Sequence, residues 1–141
     1  MNKTELAESY HRQGCNCAQA VACAFADQVG ADPVELFRMT EAFGFGMGTM
    51  GTCGALSGAA AIVGLTESDG NFERPESKKR SYRAIKQLTH AFDERVGSHI
   101  CAEIRGMTGG RVLHSCEDCV RDAADIVEEY LAARGDRDRS E

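Results

Sequence analysis

The sequence predicts an all-α protein, a single-domain bundle of about five helices around a central Ala/Gly-rich helix. Three observations carry that expectation. Proline occurs only at Pro33 and Pro75, both at places where a helix would begin. No segment shows the alternating β-branched pattern of a strand. Apolar residues instead recur at three- and four-residue steps. A chain of 141 residues is long enough to bury one core without staples. Residues 1–134 are expected to form that domain, and 135–141 a charged, fraying tail.

The first helix is expected over about residues 3–29, with Leu6, Tyr10, Cys17, Val21, Ala24 and Phe25 on its buried stripe. On a continuous helix turning about 100° per residue, Cys15 would face nearly opposite Cys17. Asp32-Pro33-Val34-Glu35 supplies an N-cap, a proline at N1 and an acid at N3 for a second helix to about residue 43, carrying Val34, Leu36, Phe37 and Phe43. The glycine-rich stretch from Gly44 to Gly51 ends it. A third helix is expected from Thr52 to about Leu65. Its Gly54, Ala55, Ser57, Gly58, Ala59, Ala60, Ala61 and Gly64 lower helix propensity but admit very close neighbours. After a loop from Ser68 to Arg74, a long helix spans about 75–96 with Tyr82, Ile85, Leu88, Phe92 and Val96 on one face. A helical turn follows near 99–105, and a last helix over about 115–134 buries Val120, Ala123, Val127 and Leu131.

Composition narrows the function classes. Sixteen basic against 22 acidic residues give a net charge of −6, and with no Trp for base stacking nucleic acid is not the expected partner. Lys78-Lys79-Arg80, Arg83 and Lys86 read as a solvated helix face. The N-terminus leads into an amphipathic pattern rather than a signal-type apolar stretch, and the run from Gly51 to Leu65 is too short for a bilayer. The expectation is a cytoplasmic protein with no membrane insertion. There, seven cysteines are better read as reactive or ligating than as structural disulfides, and an odd number cannot all pair within the chain.

Four cysteines, Cys17, Cys53, Cys101 and Cys116, fall in separate segments on or at the start of expected helices. Thr52 precedes Cys53 and Ser115 precedes Cys116, each hydroxyl a candidate N-cap. A thiol in the first turn of a helix meets unpaired amides and the positive end of the dipole, which favours the thiolate. His99 and His114 each stand two residues before a cysteine and are candidate ligands or thiolate partners. The literal GxGxxG from Gly46 to Gly51 lacks the preceding strand of a dinucleotide site; its glycines are expected to give the backbone clearance near the cysteines. Met39, Met47 and Met50 are expected to fill gaps around it.

Asn16-Cys17-Ala18-Gln19, Phe43-Gly44-Phe45-Gly46-Met47-Gly48 and Cys53-Gly54-Ala55-Leu56-Ser57-Gly58, followed by Gly97-Ser98-His99-Ile100-Cys101 and Cys116-Glu117-Asp118-Cys119-Val120, resemble the C_GCAxxG_C_C family, whose members are described as redox-active. The resemblance runs from about residue 5 to 131. It implies that Cys17, Cys53, Cys101 and Cys116 are the family's four cysteines and that Cys15, Cys23 and Cys119 are extras.

Four such thiolates match the ligand set of an iron–sulfur cluster, the leading expectation, with electron transfer to an unidentified redox partner protein. A Cys₄ zinc site is the alternative cofactor, although zinc ribbons present paired CxxC turns. The competing reading is thiol–disulfide exchange, with Cys53 and Cys116 as nucleophiles and Cys17 or Cys101 resolving. Cys116-Glu117-Asp118-Cys119 has CxxC spacing, but no βαβ pattern surrounds it and its two acids oppose a thiolate. A third reading is a non-enzymatic, zinc-stabilised or purely helical interaction protein. Homo-oligomerisation is left open.

Overall fold

The computed structural model describes residues 1–140, with side chains described through residue 135. The described chain is all-α, with seven α-helices rather than about five: α1 (Lys3–Arg12), α2 (Cys17–Ala24), α3 (Pro33–Thr40), α4 (Gly54–Glu67), α5 (Lys78–Val96), α6 (Cys101–Ile104) and α7 (Cys116–Ser140). No strand forms among the described residues. One isolated antiparallel bridge joins Thr52 to Ile100.

The expected helix over 3–29 divides because a second capping box, at Asn16, lies within it. Asn2 caps α1 by accepting from the Glu5 amide at 2.8 Å. The chain then turns at Gly14, whose φ of 110° only glycine adopts freely. Asn16 starts α2: its Oδ1 accepts from Gln19 N at 2.9 Å, while Gln19 Oε1 accepts from Asn16 N at 3.0 Å. Cys17 is therefore the first residue of a helix instead of a position in the middle of one. The opposed orientation expected for Cys15 lapses with the continuous helix, and Cys15 packs partly against the core.

Asp32 caps α3 as expected, accepting from Val34 N at 2.9 Å. Of its apolar residues only Leu36 is fully buried; Val34 and Phe37 are exposed. A 3-10 turn, Glu41–Phe43, and a π-type turn, Gly46–Met50, lead onward. Phe45, Met47 and Met50 take left-handed φ of 54°, 62° and 58°, a conformation that costs side-chain-bearing residues energy. Met39 and Met47 are more than half exposed, so they do not fill the core as expected.

α4 packs between α2, α5 and α7, as its small residues foretold. At Gly58 an added Cβ would lie 2.5 Å from the Ala18 carbonyl oxygen, so α2 and α4 touch through their backbones. α5 begins at Lys78, three residues after Pro75, and Gly97 ends it at φ 101° with its amide on Asp93 O. Leu88, Phe92 and Val96 are buried on α5, but Tyr82 is exposed. On α7, Val120, Ala123 and Val127 are buried, and Leu131 lies at the core's edge. Buried Glu67 ties the far end of α4 to α5 and α7 through Arg80 (3.2 Å), Arg134 (3.1 Å) and a hydrogen bond donated by the Tyr130 hydroxyl. α7 continues to Ser140 through most of the stretch expected as a frayed tail; Glu141 lies outside the described residues.

Candidate thiol site

Each expected site cysteine stands at the start of a helix. Cys17, Cys101 and Cys116 are first residues of α2, α6 and α7. Cys53 is itself the N-cap of α4, the position expected for Thr52, which is instead held in the bridge to Ile100. Ser115 does cap α7, accepting from Asp118 N at 3.0 Å. Two backbone bonds bring two of these starts together: Cys53 N donates to His99 O at 2.7 Å, and Cys101 N to Gly51 O at 2.6 Å. The end of the glycine loop is thus pinned to the segment that starts α6.

The result is one small cleft of about 40 Å³ lined by Cys17, Cys53, Cys101 and Cys116, with Phe45, Arg105 and His114 around it. A larger apolar groove of about 810 Å³, lined by residues such as Leu36, Met39, Phe43 and Leu65, carries none of the cysteines.

Within the site the sulfurs are paired. Cys17 neighbours Cys116, its thiol donating to the Cys116 carbonyl oxygen at 4.0 Å, and Cys119 neighbours Cys53. Cys119 was set aside by the sequence reading; it is nearly fully buried, one turn along α7 from Cys116. Its CxxC spacing was the available signal. Cys101 belongs to neither pair.

Pairing separates the thiols into two kinds. The neighbouring Cys17 thiol pulls the Cys116 thiol down to about 5, against the opposing effect of burial, and the Arg105 guanidinium, 3.4 Å from the sulfur, adds to the fall. Cys17 is pushed far up, first by its neighbour Cys116 and then by burial. Cys53 is drawn down to about 7, first by the neighbouring Cys119 thiol. Its sulfur makes no conventional capping bond, yet the first-turn amides of Ala55 and Leu56 also favour its thiolate. Cys119 is pushed up in return, and burial raises Cys101.

Arg105 was missed by sequence reading. It stacks over the Phe45 ring at 5.1 Å, which fixes the cation beside Cys116. His11, assigned nothing beyond its helical position, has Nε2 3.9 Å from Cys17 Sγ. His114 lines the cleft but holds Asp122 at 2.7 Å, and His99 holds Asp93 at 2.9 Å beside a separate recess. Glu117 and Asp118, expected to oppose a thiolate, pair with Arg12 and Arg121. Among the described residues no three His, Cys, Asp or Glu side chains are grouped so as to hold a metal ion. Nor is any described helix long and apolar enough to cross a membrane.

A family model described as "Putative redox-active protein (C_GCAxxG_C_C)" matches residues 15–130, and the chain belongs to that family. No curated protein and no solved structure matches it.

Proposed function

Within a redox-active family, we propose that this protein carries out thiol–disulfide exchange, with Cys116 as the attacking thiolate and Cys17 as the resolving thiol. The observation that carries the reading is the placing of Cys116 in one cleft with Cys17, whose thiol reaches the Cys116 carbonyl at 4.0 Å, and with the Arg105 guanidinium 3.4 Å from its sulfur. The Cys116 thiolate attacks one sulfur of a substrate disulfide, forming a mixed disulfide and expelling the other sulfur as thiolate. Cys116 then no longer carries the charge that held the Cys17 proton. Cys17 gives that proton to the expelled thiolate and attacks Cys116 Sγ. A Cys17–Cys116 disulfide forms, and the second substrate half leaves as thiolate. The substrate gains two electrons, the protein loses two, and a dithiol reductant restores it.

Magnitudes say what the lowered Cys116 contributes. Going from about 8.5 to about 5 raises the thiolate population at neutral pH roughly 30-fold. The accompanying loss of nucleophilicity is on the order of 40-fold. The two nearly cancel for attack. What remains is a good leaving sulfur whose charge persists into mild acid.

The cluster reading is supported by the convergence of Cys17, Cys53, Cys101 and Cys116 on one cleft. Its room fits poorly: about 40 Å³ is little more than one water's share of liquid, about 30 Å³. One of the four, Cys17, also donates its thiol to the Cys116 carbonyl oxygen. The same points weigh against a four-cysteine zinc site, so no step is derived through a metal.

Trapping tests the proposal. Reduced Cys17→Ser protein mixed with a small aliphatic disulfide should accumulate an adduct on Cys116 by intact mass, and Cys116→Ser should not. Anaerobically purified protein carrying stoichiometric iron and sulfide would overturn exchange in favour of a cluster.

A further inference from the structure

Cys53 and Cys119 are two further thiols, both in the buried core beside the cleft. Both are buried, at 6% and 2% exposure, whereas Cys116 is only partly so. Cys119 follows Cys116 by one helical turn, so both sulfurs project from one face of α7. Cys53 reaches the same place from α4, whose next residue abuts Cys17: a Cβ on Gly54 would lie 3.5 Å from Cys17 Cβ. Cys17 and Cys53 also line the same cleft. The CxxC motif is therefore divided, each cysteine belonging to a different pair.

Resting on the exchange reading, we infer that Cys53 and Cys119 are an internal redox couple that takes over the disulfide formed at Cys17–Cys116, so that the reduced protein stores four electrons. The Cys53 thiolate attacks Cys17 Sγ; the Cys17–Cys116 bond breaks and Cys116 leaves as thiolate. Cys119 then attacks Cys53 Sγ and passes its proton to Cys17. A Cys53–Cys119 disulfide and a Cys17–Cys116 dithiol result. Two electrons move outward, and proton and charge are conserved.

Direction follows from solvation. The transfer removes a negative charge from buried Cys53 and restores it to Cys116, which is more open and 3.4 Å from the Arg105 guanidinium. Moving a charge from an apolar interior to a partly wet, cation-paired site is favourable. Attack at Cys17 rather than Cys116 expels the better leaving sulfur. The cleft pair is thereby reset for a second substrate.

Disulfide mapping on the wild-type full chain tests this directly. Fully reduced protein is given one equivalent of hydroxyethyl disulfide without oxygen, quenched in acid, alkylated and mapped. The expected bond is Cys53–Cys119, with Cys17 and Cys116 alkylated and a second equivalent then consumed. Cys119→Ser and Cys119→Ala should each lower the total from two equivalents to one. A bond that stays at Cys17–Cys116, with Cys53 and Cys119 still alkylated after excess disulfide, overturns the relay while leaving exchange at the cleft intact. Reduced protein that consumes no disulfide sinks the exchange reading itself, and the relay with it.

Discussion

Cys116 and Cys119 stand one turn apart on α7 yet answer to different partners, Cys116 neighbouring Cys17 and Cys119 neighbouring Cys53. In each pair one sulfur keeps its proton and the other holds the charge. In the second pair the charged member alone lies at a helix start, Cys53 capping α4; in the first, Cys17 opens α2 as Cys116 opens α7, and Arg105, 3.4 Å from the Cys116 sulfur, separates them. A helix N-terminus thus favours the Cys53 thiolate in one couple, and a guanidinium favours the Cys116 thiolate in the other.

The pH dependence of alkylation should show this division. Cys116 is held down to about 5, so its reaction with iodoacetamide should stay flat from neutral pH to about 6 and fall below about 5. The sign is that of a depressed thiol: reactivity is lost as pH falls through the lowered value. Peptide-resolved rates for Cys116 that still rise steeply above pH 8 would contradict it.

Arg105→Gln should move that profile upward. Removing a cation 3.4 Å from the sulfur takes away stabilisation of the thiolate. A neighbouring opposite charge typically shifts a group by one to three units, and Arg105 is exposed, so about one unit or less is expected. Ultraviolet titration of the thiolate measures it. Because the Cys17 thiol is the larger cause, Cys17→Ala should move the profile further than Arg105→Gln does.

Much of this arrangement was visible in the residues themselves. The caps at Asp32 and Ser115 and the small-residue helix α4 all fall where local chemistry predicts. The break between α1 and α2 was also written locally, in Asn16 and Gln19, but an apolar stripe continuing from Tyr10 to Val21 masked it. Tyr82 was misplaced because periodicity marks a face without saying where a neighbouring helix ends. The role of Cys119, and the approach of Arg105 and His11 to the sulfurs, depend on how α1, α4, α6 and α7 meet. No local pattern encodes those meetings.

Two glycines of α4 should respond oppositely to alanine. At Gly58 the new methyl would meet the Ala18 carbonyl at 2.5 Å, and a helix backbone cannot turn aside as a side chain can. Overpacking of this kind costs about 1–3 kcal/mol. At Gly64 nothing lies within 4 Å, and the gain in helix propensity should stabilise by about 0.5–1 kcal/mol. Urea unfolding of both variants decides the matter: equal or same-signed effects would mean that α2 and α4 are not in backbone contact.

Asn16→Ala should weaken both the fold and the site. The side chain accepts from Gln19 N at 2.9 Å and donates from Nδ2 to Glu41 O at 2.8 Å, pinning the start of α2 to the segment that leads into the glycine loop. Loss of the cap alone costs about 1 kcal/mol. Cys17 is the next residue, so the same change loosens the thiol that holds Cys116 charged. The variant should therefore lose stability and also raise the Cys116 titration. Asn16→Asp, which keeps the cap acceptor but not the donor to Glu41, separates the two roles: it should restore most of the stability while leaving the loop contact broken. A Cys116 profile that returns to the wild-type position in Asn16→Asp would assign control of the thiolate to the cap; one that stays raised would assign it to the contact with Glu41.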